Sequence, residues 1–177
     1  MNKNKKLGIL STLYIFSILL ANYLTGKYPF ELFGTTLTLG ILIFPLTFLF
    51  TDIIGYFSVK KAKKIVIIGL ISNVILLFLG VPIRILIASI SAFIFSQSWD
   101  IFIFHRLKNK KLWVRNIGST ITSQALDTIL FMTIAFYGVF PIIPAIIAQY
   151  IFKIIYAIID TPLCYLGVRW VKNENKE

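Results

Sequence analysis

Six apolar stretches, fifteen to twenty-six residues long and set apart by short polar or basic runs, decide what this chain can become. They read as Leu7–Leu24, Thr36–Phe57, Ile65–Leu79, Ile83–Phe104, Asn116–Tyr137 and Ile143–Val168. About 20 apolar residues in a helix cross the hydrocarbon core of a bilayer, and a helix satisfies its own backbone groups there. Only 14% of the residues are charged and 58% are hydrophobic, too little polarity to clothe six such segments in a soluble surface. The expected fold class is an all-α membrane protein, a bundle of six transmembrane helices making one integral-membrane domain over residues 1–177. The third stretch is short and is broken by Gly80 and Pro82. Pro45 and Pro162 fall inside spans, where each would kink a helix or loosen one turn.

Eighteen Lys and Arg oppose seven Asp and Glu, for a net charge of +11. In a soluble chain that excess would suggest a nucleic-acid partner. Here the basic residues gather between apolar stretches, and at alternate connections. Lys3, Lys5 and Lys6, then Lys60 to Lys64, then Arg106 to Arg115, then the tail fall on one side. Only Lys27 and Arg84 fall on the other. The positive-inside rule then predicts both termini in the cytoplasm and a multi-pass inner-membrane protein, with the lipid bilayer and not nucleic acid as partner.

The run Leu7–Leu24 behind Met1–Lys6 imitates a signal peptide, but it is long for an h-region and no small-x-small site follows Ala21. It reads as a retained first helix. No Gly-x-x-x-x-Gly-Lys-Ser/Thr phosphate loop is present. One Cys, Cys164, and one His, His105, make neither an internal disulfide nor a convincing metal site, so no metal or cofactor is expected. The Ser residues within the spans have no His to activate them, which speaks against an enzyme.

Asp52, Asp100, Asp127, Asp160, Arg84 and Lys153 fall within or at the edge of the apolar spans. Burying one such charge costs on the order of 2.5–3.5 kcal/mol by insertion scales, so each needs a partner or water. Such groups line a binding cavity or ion path, or else pair helices structurally or snorkel to an interface. Asp52 and Arg84 lie near span ends, where the structural reading is as strong as the functional one. Asp127 and Lys153 lie deeper, where snorkelling is harder, and Lys153 is a candidate counter-ion for Asp127.

The fourth and fifth spans carry a repeat. Ser96-Gln97-Ser98-Trp99-Asp100 matches Ser123-Gln124-Ala125-Leu126-Asp127, each followed four residues on by a Phe, Phe104 and Phe131. Gln and Asp three apart project from one helical face. The two spans run in opposite directions, so Gln97 and Gln124 should both sit about 13 Å from the cytoplasmic edge. Asp100 and Asp127 should then differ in depth by roughly 9 Å, too far to share a proton as an aspartyl-protease dyad does. Inverted elements meeting around a central site are a recurring carrier design. A carboxylate accepts two parallel N–H bonds and a carboxamide offers a donor and an acceptor, which suits the edge of a guanine-like base. Trp99, Phe102 and Phe131 are candidate stacking faces, although aromatics in spans more often face lipid or pack.

Phe44-Pro45-Leu46-Thr47 with Thr51-Asp52, Arg84, Ser96-Gln97-x-x-Asp100, Arg115, Ser119-Thr120, Ser123-Gln124-x-x-Asp127-Thr128, and Lys153 with Thr161-Pro162 occur in an order and spacing that resemble the queuosine precursor transporters, also called vitamin uptake transporters. The resemblance runs from the second span to the sixth. It implies a six-helix bacterial carrier for 7-deazaguanine-type bases, with Asp52, Arg84, Gln97, Asp100, Gln124, Asp127 and Lys153 lining or supporting the site. It also implies a Glu one turn after the second-span Asp, where this chain has Tyr56, and a Gly near the position of Val59.

The substrate-binding subunit of an energy-coupling-factor vitamin importer is the alternative, since such subunits are also basic six-helix proteins of this size. Those need a small-residue docking surface on the first helix, and Ile9-Leu10-Ser11-Thr12-Leu13-Tyr14-Ile15-Phe16-Ser17 has no Ala-x-x-x-Ala pattern. The expected mechanism is alternating access around a midplane site between spans two, four, five and six. A desolvated carboxylate takes up a proton more readily, which makes protons candidate coupling ions, whereas Lys153 would keep Asp127 ionised.

Overall fold

The computed structural model describes residues 2–32 and 35–173. Its elements are α1 (Lys3–Lys27), β1 (Pro29–Leu32), β2 (Thr35–Thr38), α2 (Gly40–Phe57), α3 (Val59–Ser72), α4 (Ile75–Phe78), α5 (Ile83–Arg106), α6 (Leu112–Phe136) and α7 (Ile142–Lys172). The expected helical membrane architecture is present, with Pro45 inside α2 and Pro162 inside α7. By length and apolar character α1, α2, α5 and α7 each qualify as a membrane span on their own. The other two expected spans do not. α3 is only fourteen residues long, and α6 is too polar, since Asn116, Ser119, Thr120, Thr122, Ser123, Gln124 and Thr128 join Arg115 and Asp127 along its length.

Three expectations need correction. The second span was expected to begin at Thr36, but residues 29–38 form an antiparallel hairpin, Pro29 opposite Thr38 and Phe30 opposite Leu37, before α2 starts at Gly40. The fold class remains all-α, with this short hairpin as the connection between α1 and α2. Thr35, Thr36 and Thr38 around Leu37 favour a strand, because β-branched residues suit the pleated surface better than a helix. The third span was expected at Ile65, but α3 begins six residues earlier and takes the run Lys60–Lys64 into its first turns. Ser58 makes this start possible: its Oγ accepts from the Lys61 amide at 3.3 Å, as a helix cap does. The same span does not continue to Leu79. α3 ends at Ser72, and the single turn α4 follows after Asn73 and Val74. Asn73 is buried there and accepts from Asn22 Nδ2 at 3.0 Å, so the break is tied to α1. Gly80, at φ 72°, then reverses the chain into Pro82 and α5.

The core has an aromatic centre in which Phe93 of α5 meets Tyr14 of α1 and both Phe44 and Phe48 of α2. Aliphatic side chains of α1, α2, α3 and α7 surround it. One end of the bundle collects the basic runs. Lys6 Nζ donates to the Trp170 and Asn173 carbonyls at 2.7 and 3.1 Å, tying the start of α1 to the end of α7. Lys61 Nζ donates to Asn4 Oδ1 at 3.0 Å. Lys172 Nζ donates to the Tyr56 hydroxyl at 2.7 Å. The two ends of the described chain thus lie together, with the α2–α3 connection beside them.

Candidate functional site

α5 and α6 run antiparallel, and their two Ser-Gln-x-x-Asp segments meet. Each repeat supplies the hydroxyl that binds the other repeat's carboxylate. Ser96 Oγ donates to Asp127 Oδ1 at 3.1 Å, and Ser123 Oγ donates to Asp100 Oδ1 at 3.0 Å. All four residues are buried. This register leaves Asp100 and Asp127 four residues apart in depth, about 6 Å. That is less than the sequence suggested, yet the two carboxyls remain on separate levels.

Gln97 and Gln124 lie between those levels, offset by two residues or about 3 Å along the axis. Both are almost wholly buried, at 0% and 1% exposure, and none of their four amide atoms has a protein partner. Asp100 Oδ2 also has none. A buried polar atom left unpaired costs about 1–3 kcal/mol, so five at one interface require a reason. The four amide atoms lie between the Asp100 and Asp127 carboxyls.

Asp127 has a second partner. Lys153 Nζ of α7 lies 2.7 Å from its Oδ2, and both side chains are buried. The counter-ion expectation for Lys153 thus matches the geometry. The ammonium also sits 5.0 Å from the centre of the Phe44 ring, a cation–π contact that helps offset its desolvation. The pair borders a cavity of about 20 Å³ that Asn22, Gln149, Phe44 and Phe131 help to line. That is room for about one water, so a bicyclic base requires the surrounding helices to part.

Asp52 occupies a neighbouring polar centre. Asn116 Nδ2 donates to its Oδ2 at 2.6 Å, and Thr161 Oγ1 donates to Asn116 Oδ1 at 3.0 Å, a chain that links α2, α6 and α7. Asp52 also neighbours Asp100, so this second centre adjoins the first. Asp160 is buried as well.

Arg84 is not brought to this group. It is exposed at the head of α5, where Nε donates to the Ile134 carbonyl at 2.9 Å and Nη2 to the Tyr137 carbonyl at 2.7 Å. It satisfies carbonyls at the end of α6 that have no intrahelical donor. Trp99 and Phe102 also face outward, at 44% and 54% exposure, with Trp99 Nε1 donating to Thr122 Oγ1 at 3.2 Å. Of the three aromatics considered for stacking, only Phe131 lies against the cavity.

Tyr56, where the resemblance implies a Glu, is served by cations. Besides its bond to Lys172, its ring has the Lys172 ammonium 4.7 Å and the Arg115 guanidinium 5.3 Å from its centre. The ring face gives these cations a partner in place of a carboxylate.

Asn22 and Gln149 escaped the sequence reading. Gln149 lies one turn before Lys153 and so shares its helical face, a signal that spacing alone offered. Asn22 is a lone amide near the end of an apolar helix, and nothing in its spacing marks it.

Comparison with known proteins places this architecture. The family described as "Putative vitamin uptake transporter" matches residues 76–167, which contain both repeats and Lys153. A "Probable queuosine precursor transporter" of Bacillus subtilis (strain 168) is 28% identical over 178 residues, covering 82% of this chain and 78% of the relative. Another of that description, from Haemophilus influenzae, is 28% identical over 169 residues, covering 76% and 72%. The "Queuosine precursor transporter" of Escherichia coli (strain K12) is 30% identical over 155 residues, covering 75% of this chain and 70% of the relative. No solved structure matches the chain. With a family match over more than half its length and a relative of this identity and coverage, the chain is a multi-pass membrane protein belonging to the vitamin uptake transporter family, in which the queuosine precursor transporters fall.

Proposed function

We propose that this chain is a secondary transporter that imports queuosine precursors, 7-deazaguanine-type bases, across the bacterial cytoplasmic membrane. The relatives' descriptions supply the cargo class. The observation that carries the reading to particular residues is the pair of unpartnered buried amides, Gln97 and Gln124, held between Asp100 and Asp127. A deazaguanine edge carries adjacent N–H donors beside a carbonyl. Asp127 accepts from the donors, and the two carboxamides complete the pattern from either side. Lys153 keeps Asp127 oriented and charge-balanced. Arg84 acts at a distance, by holding the end of α6.

The six-span topology with both termini cytoplasmic is part of this proposal. In that frame α3 and α4 together make the third crossing, and the bundle end bearing Lys3–Lys6, Lys60–Lys64 and the end of α7 faces the cytoplasm, as the positive-inside rule favours. The site then lies near the midplane, and transport alternates its access between the two sides. Protons are the coupling ions in this scheme. Asp52 and Asp100, two buried carboxyls on neighbouring helices, are the groups that carry them in this scheme.

The test is uptake of labelled 7-deazaguanine precursors by bacteria lacking both their own transporter and queuosine synthesis. The parent chain should restore uptake, and Asp127→Asn should abolish it while the protein remains in the membrane. Uptake that Asp127→Asn leaves unchanged would remove the central carboxylate from the account.

A further inference from the structure

A groove of about 620 Å³ opens between α3 and α5 on the outer side of the bundle, away from the carboxylates and amides described above. Its two walls are stripes at helical spacing. Val66, Ile67 and Leu70 face Ile94, Ile101 and Phe102, with Val66 and Ile101 buried at the floor and Ile67, Ile94 and Phe102 exposed along the walls. Lys63, His105 and Arg106 line the same groove. Because α3 starts where α5 ends, all three fall at one end of it. No Asp or Glu lines the groove.

We propose that this groove holds an anionic phospholipid of the cytoplasmic leaflet, with its phosphate at Lys63 and Arg106 and one acyl chain along the apolar stripe. Three features select that occupant. The surface faces the bilayer, so its neighbours are lipids before anything else. From Ile94 to Arg106 the groove runs about 18 Å at 1.5 Å per residue, close to half the roughly 30 Å hydrocarbon thickness. It is therefore the depth of one leaflet. The three cationic or protonatable side chains stand only at the headgroup end, where a zwitterionic lipid gains little and an anionic one gains most. A cytosolic base has no use for a trough whose only other polar lining group is Ser98. The inference rests on the membrane topology and not on the identity of the cargo.

The test uses the full chain purified in neutral detergent and titrated with phosphatidylglycerol, phosphatidylcholine or soluble glycerophosphoglycerol, followed by melting temperature and native mass spectrometry. Phosphatidylglycerol should stay bound and raise the melting temperature beyond phosphatidylcholine, and the soluble headgroup should do neither. Lys63→Gln with Arg106→Gln should weaken phosphatidylglycerol binding about thirty-fold, from roughly 1 kcal/mol per cation. Both residues are exposed, so the variant folds. Ile94→Trp, which fills the trough while leaving the cations, should also displace the lipid. Equal binding of the two lipids, or full binding by the soluble headgroup, overturns the proposal. So does a change from dimer to monomer in these variants without any lipid effect, which would make a second copy of the chain the occupant.

Discussion

Asp127 receives a hydroxyl from Ser96 and an ammonium from Lys153, and the two contacts respond differently to substitution. Removing the carboxylate charge strands a buried ammonium, at a cost of about 3–5 kcal/mol. Asp127→Asn should therefore lower the melting temperature as well as stop uptake. Adding Lys153→Met should restore most of the stability and none of the uptake, because the stranded charge is gone but the acceptor for the base is not replaced. Gln97 and Gln124 make the opposite prediction. Gln124→Met keeps the shape and removes two unpartnered polar atoms, so stability should hold or rise by about 1–3 kcal/mol while uptake falls. A loss of stability on denaturant melting would mean that the amide serves the fold. These residues were legible in the sequence because a Gln and an Asp three apart repeat in two antiparallel spans. The exchange of Ser partners was not, since it depends on the register between helices. Asn22 was missed because a single amide in an apolar helix has no spacing to betray it.

At the level of elements, α2 is held against α1 by an approach that only glycine permits. A Cβ at Gly40 would meet the Thr25 hydroxyl and, less forgivingly, the Ala21 backbone carbonyl. Gly40→Ala should thus push α2 off α1 and cost about 1–3 kcal/mol, as overpacking does. Because Thr25 and Gly40 also border the cavity beside Asp127, the same variant should weaken uptake at unchanged membrane abundance. The helix content was readable from apolar length, and Pro45 and Pro162 were readable as interior prolines. The hairpin before α2 was not, because Thr36–Thr38 continue the apolar run without a break and a hydropathy pattern merges them into the helix. The start of α3 was hidden for the converse reason. Four lysines look like a loop, and only the cap at Ser58 makes them the first turns of a helix.

For the whole molecule, the gathering of Lys6, Lys61 and Lys172 at one end matters most. It predicts that single cysteines placed at Lys60 and Lys108 react with an impermeant thiol reagent only in inside-out vesicles, while one at Lys27 reacts from outside. Labelling of all three from the same side would break the six-span topology. The charge runs made the gathering of basic residues at one end legible early, whereas the site's closed state was not. A cavity of about 20 Å³ beside Asp127 is a property of packed helices that no residue pattern encodes. It also means that transport must include an opening step.

The central claim is that this chain alone moves a 7-deazaguanine base, driven by protons through a site built on Asp127, Gln97 and Gln124. Its most direct test is uptake of the labelled base into liposomes containing only the purified chain, with and without an imposed inward proton gradient. The account predicts accumulation that follows the gradient and disappears in Asp127→Asn. Folded, lipid-inserted protein that takes up no base at any gradient would contradict it and point to a required ATPase partner or another cargo.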